Sequence, residues 1–158
     1  MYTELHAASA FSFLQGASLP ETLVERAAAL GYSAIALLDA DGVYGAPRVH
    51  KAAKQAGLRA IIGAELTMGT WRLPVLVETQ QGYQNLCRLV TRMKMRAPKG
   101  EGALALEELE GYTTGLVALA GRPMLDAQRF GVGGLLDRLV GIFEIGRASC
   151  RERVYVLV

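Results

Sequence analysis

Residues 31–45 read GYSAIALLDADGVYG, and this stretch sets our expectation for the fold. Its centre, residues 33–40, is an almost continuous apolar run, which is typical of a strand covered on both faces in a parallel sheet. A glycine precedes the run, and a polar turn that contains another glycine follows it. We therefore expect a buried strand that ends in a turn carrying Asp39 and Asp41.

Strand and helix signals alternate on either side of this strand. Ser18 and Glu21 have the spacing of a capping box at the start of a helix, and Gly31 marks its end. A second helix is predicted over residues 46–57, and two strands follow at 59–68 and 71–79. This alternation predicts right-handed βαβ crossovers and a mainly parallel sheet, either open or closed into a barrel.

The second half of the chain continues with helices and one more buried strand. A short amphipathic helix is predicted within LALEELEGY, a strand at 115–121, and a last helix that ends near Phe143. The apolar face of a longer helix before them has the spacing i, i+3, i+4, i+7 and i+10. That face is expected to consist of Tyr83, Leu86, Cys87, Val90 and Met93.

Composition excludes several classes of protein. The chain has 158 residues, 51% of them hydrophobic, and a net charge of +2, which is too small to indicate nucleic-acid binding by itself. No apolar run is long enough for a membrane span, and the first residues do not resemble a signal peptide. Two cysteines are too few for a disulfide framework. These features predict a cytoplasmic protein with no membrane partner.

Residues 144–154, EIGRASCRERV, resemble the in-frame translation of a sequencing-library adapter. A segment of foreign origin has no place in an argument about the fold. We therefore predict that residues 1–143 are the native part and that residues 144–158 are a foreign tail. One alternative is that residues 144–154 are a native basic loop. Another is that the last residues, from Val154 on, are a native strand that resumes after the foreign segment.

Three segments resemble the motifs of one family. ELHAASAFSFLQGAS (residues 4–18) is similar to the first motif of the PHP domain, in which a His-x-His pair precedes a serine and a glycine. LLDADGVYGAP (37–47) is similar to the Thr-Asp-His turn of the second motif, and IIGAELTM (61–68) to the Gly-x-Glu of the third. Residues 73–100 resemble the N-terminal PHP domain of bacterial C-family DNA polymerases, and the helix at 17–32 brings the chain closest to their error-prone branch.

This resemblance implies an α/β fold, namely the N-terminal portion of a distorted parallel β/α barrel. Metal ligands of such a barrel lie at the C-terminal ends of its strands. The resemblance also implies a longer parent protein, a DNA-directed DNA polymerase that uses Mg²⁺ at a site absent from this chain. The remaining polymerase domains would be the partners of this PHP domain, and the full-length protein would bind DNA.

The match to the family's ligand positions is incomplete. His6 matches the first histidine of the pair and Glu65 the acidic ligand of the third motif, but Ala8, Gln15 and Ala40 occupy the other positions. Two ligands hold a divalent cation weakly, since catalytic zinc sites use three. We therefore interpret His6 and Glu65 as a vestigial metal site and expect neither a bound metal nor a catalytic residue in this domain.

Other interpretations of these side chains stay open at this stage. His6 could still be a working ligand, or a histidine that is hydrogen-bonded at a strand end, and Glu65 could be ion-paired. Asp39 and Asp41 are expected to stabilise their own turn. Arg88, Arg92 and Arg96 recur every four residues and form either a nucleic-acid contact or a solvated helix face.

The leading hypothesis is a catalytically silent, structural PHP module of an error-prone polymerase that takes part in DNA replication and damage-tolerant repair synthesis. The alternatives are a stand-alone, metal-dependent phosphoesterase of the histidinol-phosphatase kind and a proofreading exonuclease module. Both alternatives require the ligands that Ala8 and Ala40 replace.

Overall fold

The structure is a computed structural model that describes residues 2–98, 100–121, 132–143, 148–151 and 154–157. The chain divides into two compact units, the first ending at Glu65 and the second beginning at Leu66. Among the described residues, no helix has both the length and the apolar character needed to cross a membrane.

The first unit contains parallel strands joined by helices, as the alternating pattern predicts. The middle strand pairs in parallel with the strand on each side of it. The elements are β1 (Glu4–Ala7), α1 (Pro20–Ala29), β2 (Ala34–Ala40), α2 (Ala46–Ala56) and β3 (Arg59–Met68), the last of which continues into the second unit.

Strand β2 lies in the core of the first unit. All its residues except the last are buried, which confirms the prediction of a strand covered on both faces. One hydrophobic cluster joins it to the two helices. The buried members of that cluster are Val24, Ala27, Ile35, Leu37, Val49 and Ala53.

The predicted capping box at the start of α1 is wrong. The helix begins at Pro20 with Leu19 in the capping position, and no side chain caps it. Proline suits the first helical turn because its fixed φ is already helical and it has no N–H to leave unpaired. The Ser18 carbonyl instead accepts a hydrogen bond from the Ala10 N–H at 2.8 Å. Glu21 pairs with Arg48 at 2.6 Å.

The second unit has antiparallel strand pairs, whereas we predicted a sheet that is mainly parallel. β4 pairs with β5, β5 with β7, and β7 with β6, all antiparallel. Its elements are β4 (Trp71–Val77), α3 (Gln80–Met95), a 3₁₀ turn (Leu106–Leu109), β5 (Leu116–Gly121), α4 (Val132–Ile142), β6 (Ala148–Arg151) and β7 (Val154–Leu157).

The reversal of β5 has a geometric cause. Helix α3 has 16 residues and so carries the chain back by roughly 24 Å. A strand starting there would run parallel to β4. Gly115, just before β5, lies instead at the end of β4, where the Glu78 N–H donates to the Gly115 carbonyl at 2.9 Å. β5 therefore starts beside the end of β4 and runs in the opposite direction.

The buried face of α3 is rotated from the predicted one. Leu86 and Met93 are buried as expected, but Tyr83 is exposed. Gly82 and Asn85 occupy the inner face together with Leu89. A Cβ at Gly82 would lie 1.8 Å from the Gly115 carbonyl oxygen, and Asn85 Nδ2 donates to the Thr114 carbonyl at 3.0 Å. Backbone contact, rather than apolar packing alone, thus orients this helix.

Candidate functional site

The loop between β1 and α1 is fastened to the end of β2 by one buried carboxylate. Asp39 is 1% exposed. Its Oδ1 accepts hydrogen bonds from the Ser9 N–H at 2.8 Å, the Ser9 hydroxyl at 2.9 Å and the Ser12 hydroxyl at 2.8 Å. The Ala40 N–H in turn donates to Ser12 Oγ at 3.0 Å. Asp39 therefore ties the loop to β2, and our prediction that it stabilises its own turn is wrong.

Glycine makes this arrangement possible at two points. A Cβ at Gly16 would lie 2.1 Å from the Ser9 carbonyl oxygen, and one at Gly45 would lie 2.8 Å from Asp39 Oδ2. The Gly16 N–H also donates to the Ser12 carbonyl at 2.9 Å. The loop and the start of α2 thus pack closely at the end of β2, with no room for a side chain at either glycine.

His6 and Glu65 lie together at the same end of the strands. Nε2 of the His6 ring is 2.6 Å from Oε1 of Glu65. The backbone N–H of His6 donates to Glu4 Oε1 at 2.9 Å. The hydrogen bond to Glu65 raises the pKa of His6 above its usual value, against the opposing effect of partial burial. The two side chains that the sequence singles out are therefore brought together by a hydrogen bond.

The set of donors in this region does not fit a catalytic divalent cation. Among the described residues there is no group of three His, Cys, Asp or Glu side chains that could hold a metal. Ala40, which lies opposite Glu65 in the β2–β3 ladder, offers no ligand atom.

The basic stripe on α3 lies in the second unit and is partly neutralised. Arg96 binds Glu108 through both carboxylate oxygens, at 2.5 and 2.7 Å, and donates to the Ala103 carbonyl. Arg92 Nε is 3.4 Å from the same glutamate. Arg88 is exposed. The three arginines predicted as one nucleic-acid contact thus differ in their surroundings.

Glu108 is a residue that sequence analysis missed. It also accepts a hydrogen bond from the Ala105 N–H at 2.8 Å. The hydrogen bonds from Arg96 and Ala105, together with the charges of Arg96 and Arg92, lower the pKa of Glu108 to about 2. Glu108 lies twelve positions after Arg96, a spacing that no local pattern reveals.

A groove of about 410 Å³ lies beside this carboxylate, within the second unit. Trp71 and Met68 contribute apolar surface, and Arg96 and Arg138 line it together with the two glutamates that they bind. Arg138 pairs with Glu107 as Arg96 does with Glu108. Because each cation has its own carboxylate, the groove is nearly balanced in charge.

Known proteins resemble this chain in sequence and in structure. An error-prone DNA polymerase of Ralstonia nicotianae is 44% identical over 128 residues, which are 77% of this chain and 12% of the relative. Another, from Anaeromyxobacter sp. strain K, is 51% identical over 107 residues, or 64% of this chain and 9% of the relative. A two-domain protein from Bacteroides vulgatus that contains a predicted PHP-like metal-dependent phosphoesterase gives a TM-score of 0.44 at 19% identity, over 57% of this chain and 32% of that one.

The chain therefore spans about a tenth of the length of the curated relatives that it matches. The sequence model of the PHP domain matches residues 4–154, which is most of the chain. This match confirms the resemblance that the motifs indicated and the fold class that follows from it, and the chain belongs to the PHP domain family.

Proposed function

We propose that this chain is the PHP module of an error-prone DNA polymerase and that the module has a structural rather than a hydrolytic role. The similarity to two relatives of that name supports the first part. Because the matched region is about a tenth of those relatives, the polymerase site with its Mg²⁺ and the main DNA contacts would lie in the rest of the polypeptide.

The donor set is the observation that carries the second part of the proposal. Metal-assisted hydrolysis needs an ion held by several side chains and a water molecule that the ion activates. The side chains of Ala8 and Ala40 provide no ligand atom, and Gln15 is a neutral amide. His6 and Glu65 are hydrogen-bonded to each other. Asp39 is already committed to Ser9 and Ser12.

A structural role agrees with the way the first unit is built. The loop around Asp39 is closely packed and held by hydrogen bonds from two serines. Such a region gives the neighbouring parts of a polymerase a surface of fixed shape. The remaining polymerase domains are thus the partners that we propose, and DNA is a partner of the whole protein.

The test compares the wild-type chain, the His6→Ala variant and a triple variant, Ala8→His/Gln15→Glu/Ala40→His, that restores the missing ligands. Each is assayed with p-nitrophenyl phosphate and with single-stranded DNA in Zn²⁺, Mn²⁺ or Mg²⁺, and binding of Zn²⁺ is measured by calorimetry. We expect no metal-dependent turnover from the wild type and at least tenfold tighter Zn²⁺ binding by the triple variant.

The phosphoesterase and exonuclease alternatives make the opposite prediction. Metal-dependent turnover by the wild type that disappears in His6→Ala would establish a working site and contradict a silent module. Hydrolysis of the phosphoester alone would favour the phosphoesterase, and hydrolysis of DNA would favour the exonuclease.

A further inference from the structure

The outer face of α2 carries three cations and no acidic residue. Arg48, Lys51 and Lys54 recur every three residues, and the helix contains neither aspartate nor glutamate. Val49 and Ala53 on its other side are buried, whereas both lysines are exposed. Within the part of the chain that the structure describes, neither lysine is paired with a carboxylate. We call Arg48, Lys51 and Lys54 the cationic face.

Two aromatic rings lie at one end of this face. Tyr44 comes just before α2, and Phe11 lies in the loop between β1 and α1; their ring centroids are 6.5 Å apart. Tyr44 is 58% exposed and Phe11 is 41% exposed. The Arg48 guanidinium carbon is 5.6 Å from the centroid of the Phe11 ring. The aromatic pair and the cationic face are therefore continuous.

The fold fixes the positions of both rings. The Phe11 N–H donates to Ser9 Oγ at 3.2 Å, and the Ser9 hydroxyl binds the buried Asp39 carboxylate. The Tyr44 ring packs across the backbone of Gly42, where a Cβ would lie 2.2 Å from its Cε2. Rings that are held in place lose little conformational entropy when a ligand stacks on them.

The chemistry of this surface matches a single nucleic-acid strand better than a protein. Lysine is depleted at protein interfaces. Proteins that bind single strands combine cations that follow the phosphates with aromatic faces on which bases stack. Each step of three residues advances about 4.5 Å along a helix axis, so the cations of α2 form a line that a sugar-phosphate backbone can follow. Bases within a duplex are stacked on each other, and their faces are not available to the two rings.

We propose that the cationic face and the Phe11–Tyr44 pair bind single-stranded DNA, with phosphates on the cations and a base stacked on the aromatic pair. This inference rests on the proposed function, because a polymerase works on a template that is single-stranded beyond the primer end. Arg48 also pairs with Glu21, so we assign the phosphate contacts chiefly to Lys51 and Lys54. The site is separate from the arginines of α3, which belong to the second unit.

The first arm of the experiment tests the cations. Fluorescence anisotropy measures binding of the chain to a labelled oligothymidylate at several salt concentrations. We expect Lys51→Ala and Lys54→Ala each to lower the log–log salt slope by about 0.7. Arg26→Ala is the matched control, because Arg26 is an exposed cation on the neighbouring helix α1, and it should leave the slope unchanged.

The second arm tests the rings with an abasic strand of the same length. Phe11→Leu and Tyr44→Leu keep the apolar bulk but remove the ring. We expect them to weaken binding of the oligothymidylate by about fivefold or more and to leave binding of the abasic strand unchanged. Tyr83→Leu on α3 is the control, because Tyr83 is also partly exposed, and it should change neither.

Several results would overturn the inference. These are no binding by the wild type at low salt, slopes for both lysine variants equal to that of Arg26→Ala, and equal losses on the two strands for the ring variants. Competition by polyglutamate as effective as by unlabelled oligothymidylate would make the surface a general anion site and overturn it too. The metal-dependent turnover that tests the proposed function is a separate measurement, so failure of one is distinguishable from failure of the other.

Discussion

Glu108 holds Arg96 through both carboxylate oxygens, with Nη1–Oε1 at 2.5 Å and Nη2–Oε2 at 2.7 Å. The same glutamate receives the Ala105 N–H, so one side chain joins the end of α3 to the start of the 3₁₀ turn. The contact therefore lies within the connection between α3 and β5, the connection after which β5 runs antiparallel to β4.

The pH dependence of this contact follows from the pKa of Glu108. That pKa is about 2 in the folded chain, compared with an ordinary value of 4.5. The contribution to stability is therefore complete above about pH 4.5 and disappears as the pH falls to about 2. We expect Glu108→Gln to lower the free energy of unfolding at pH 7 and the difference from wild type to shrink over that window. Urea unfolding at several pH values measures it, and a constant difference down to pH 2 would contradict the assignment.

The arginines of α3 should separate into two classes. Arg96→Ala removes a partner of Glu108 and should destabilise the fold, whereas Arg88→Ala should leave stability unchanged because Arg88 is exposed. If the stripe contacts phosphates, Arg88→Ala should also lower the salt dependence of binding to single-stranded DNA, by about 0.7 in the log–log slope.

Fluorescence anisotropy at several salt concentrations gives this slope, and urea unfolding gives the stability. An unchanged slope for Arg88→Ala would remove Arg88 from the nucleic-acid contact. If Arg96→Ala lowers the slope as much as Arg88→Ala does, Arg96 leaves Glu108 when DNA binds. If the two variants are equally stable, the Arg96–Glu108 contact does not stabilise the fold.

Asp39→Asn should destabilise the first unit by about 1–3 kcal/mol, because the amide group would face hydroxyl and N–H donors that need an acceptor. Asp137→Asn on α4 is the matched control, since Asp137 is exposed and should change stability by less than about 0.5 kcal/mol. Thermal unfolding followed by circular dichroism compares them. If both variants are as stable as wild type, Asp39 does not hold the loop.

Two glycines in helices should respond to alanine in opposite directions. Gly82→Ala places a Cβ 1.8 Å from the Gly115 carbonyl oxygen, and we expect a loss of about 1–3 kcal/mol. Gly141 in α4 has open space around it, so Gly141→Ala should stabilise by up to about 1 kcal/mol through helix propensity. Urea unfolding checks both, and a stabilised Gly82→Ala variant would contradict the close contact between α3 and Gly115.

Sequence reasoning succeeded where the signal was local and apolar. The run before Asp39 predicted a buried β2, and the bounds of β3 agree with the expected residues 59–68. It failed where a distant backbone group decided the result. Asn85 lies on the inner face, where it donates a hydrogen bond to the Thr114 carbonyl, and no helical periodicity contains that information.

The candidate site shows the same limit. Motif positions identified His6 and Glu65, and the structure pairs them. They did not reveal that Asp39 binds Ser9 and Ser12, because those hydrogen bonds join residues 27 and 30 positions apart. The pairing of β1 with β2 brings residues that are this far apart in the sequence together, and no local sequence pattern reports it.

The last prediction concerns residues 144–158, whose foreign origin stays a prediction. Within this range the structure describes β6 (Ala148–Arg151) and β7 (Val154–Leu157), and the family match extends to residue 154. A foreign segment was never selected to pack on this core, so its local opening should cost little free energy. Trypsin should then cut after Arg147, Arg151 and Arg153 before it cuts elsewhere.

Arg59 is the internal control for this digestion, because it is an exposed arginine at the start of β3, a strand in the native part. Mass spectrometry of samples taken over time gives the order of cleavage. Early cleavage at all three tail sites, with Arg59 intact, supports a boundary after Phe143. Cleavage at the tail sites as slow as at Arg59 would mean that β6 and β7 are part of the stable fold. Residues 144–158 would then belong to the PHP domain, since the pairing of β7 with β5 would be contributing to its stability.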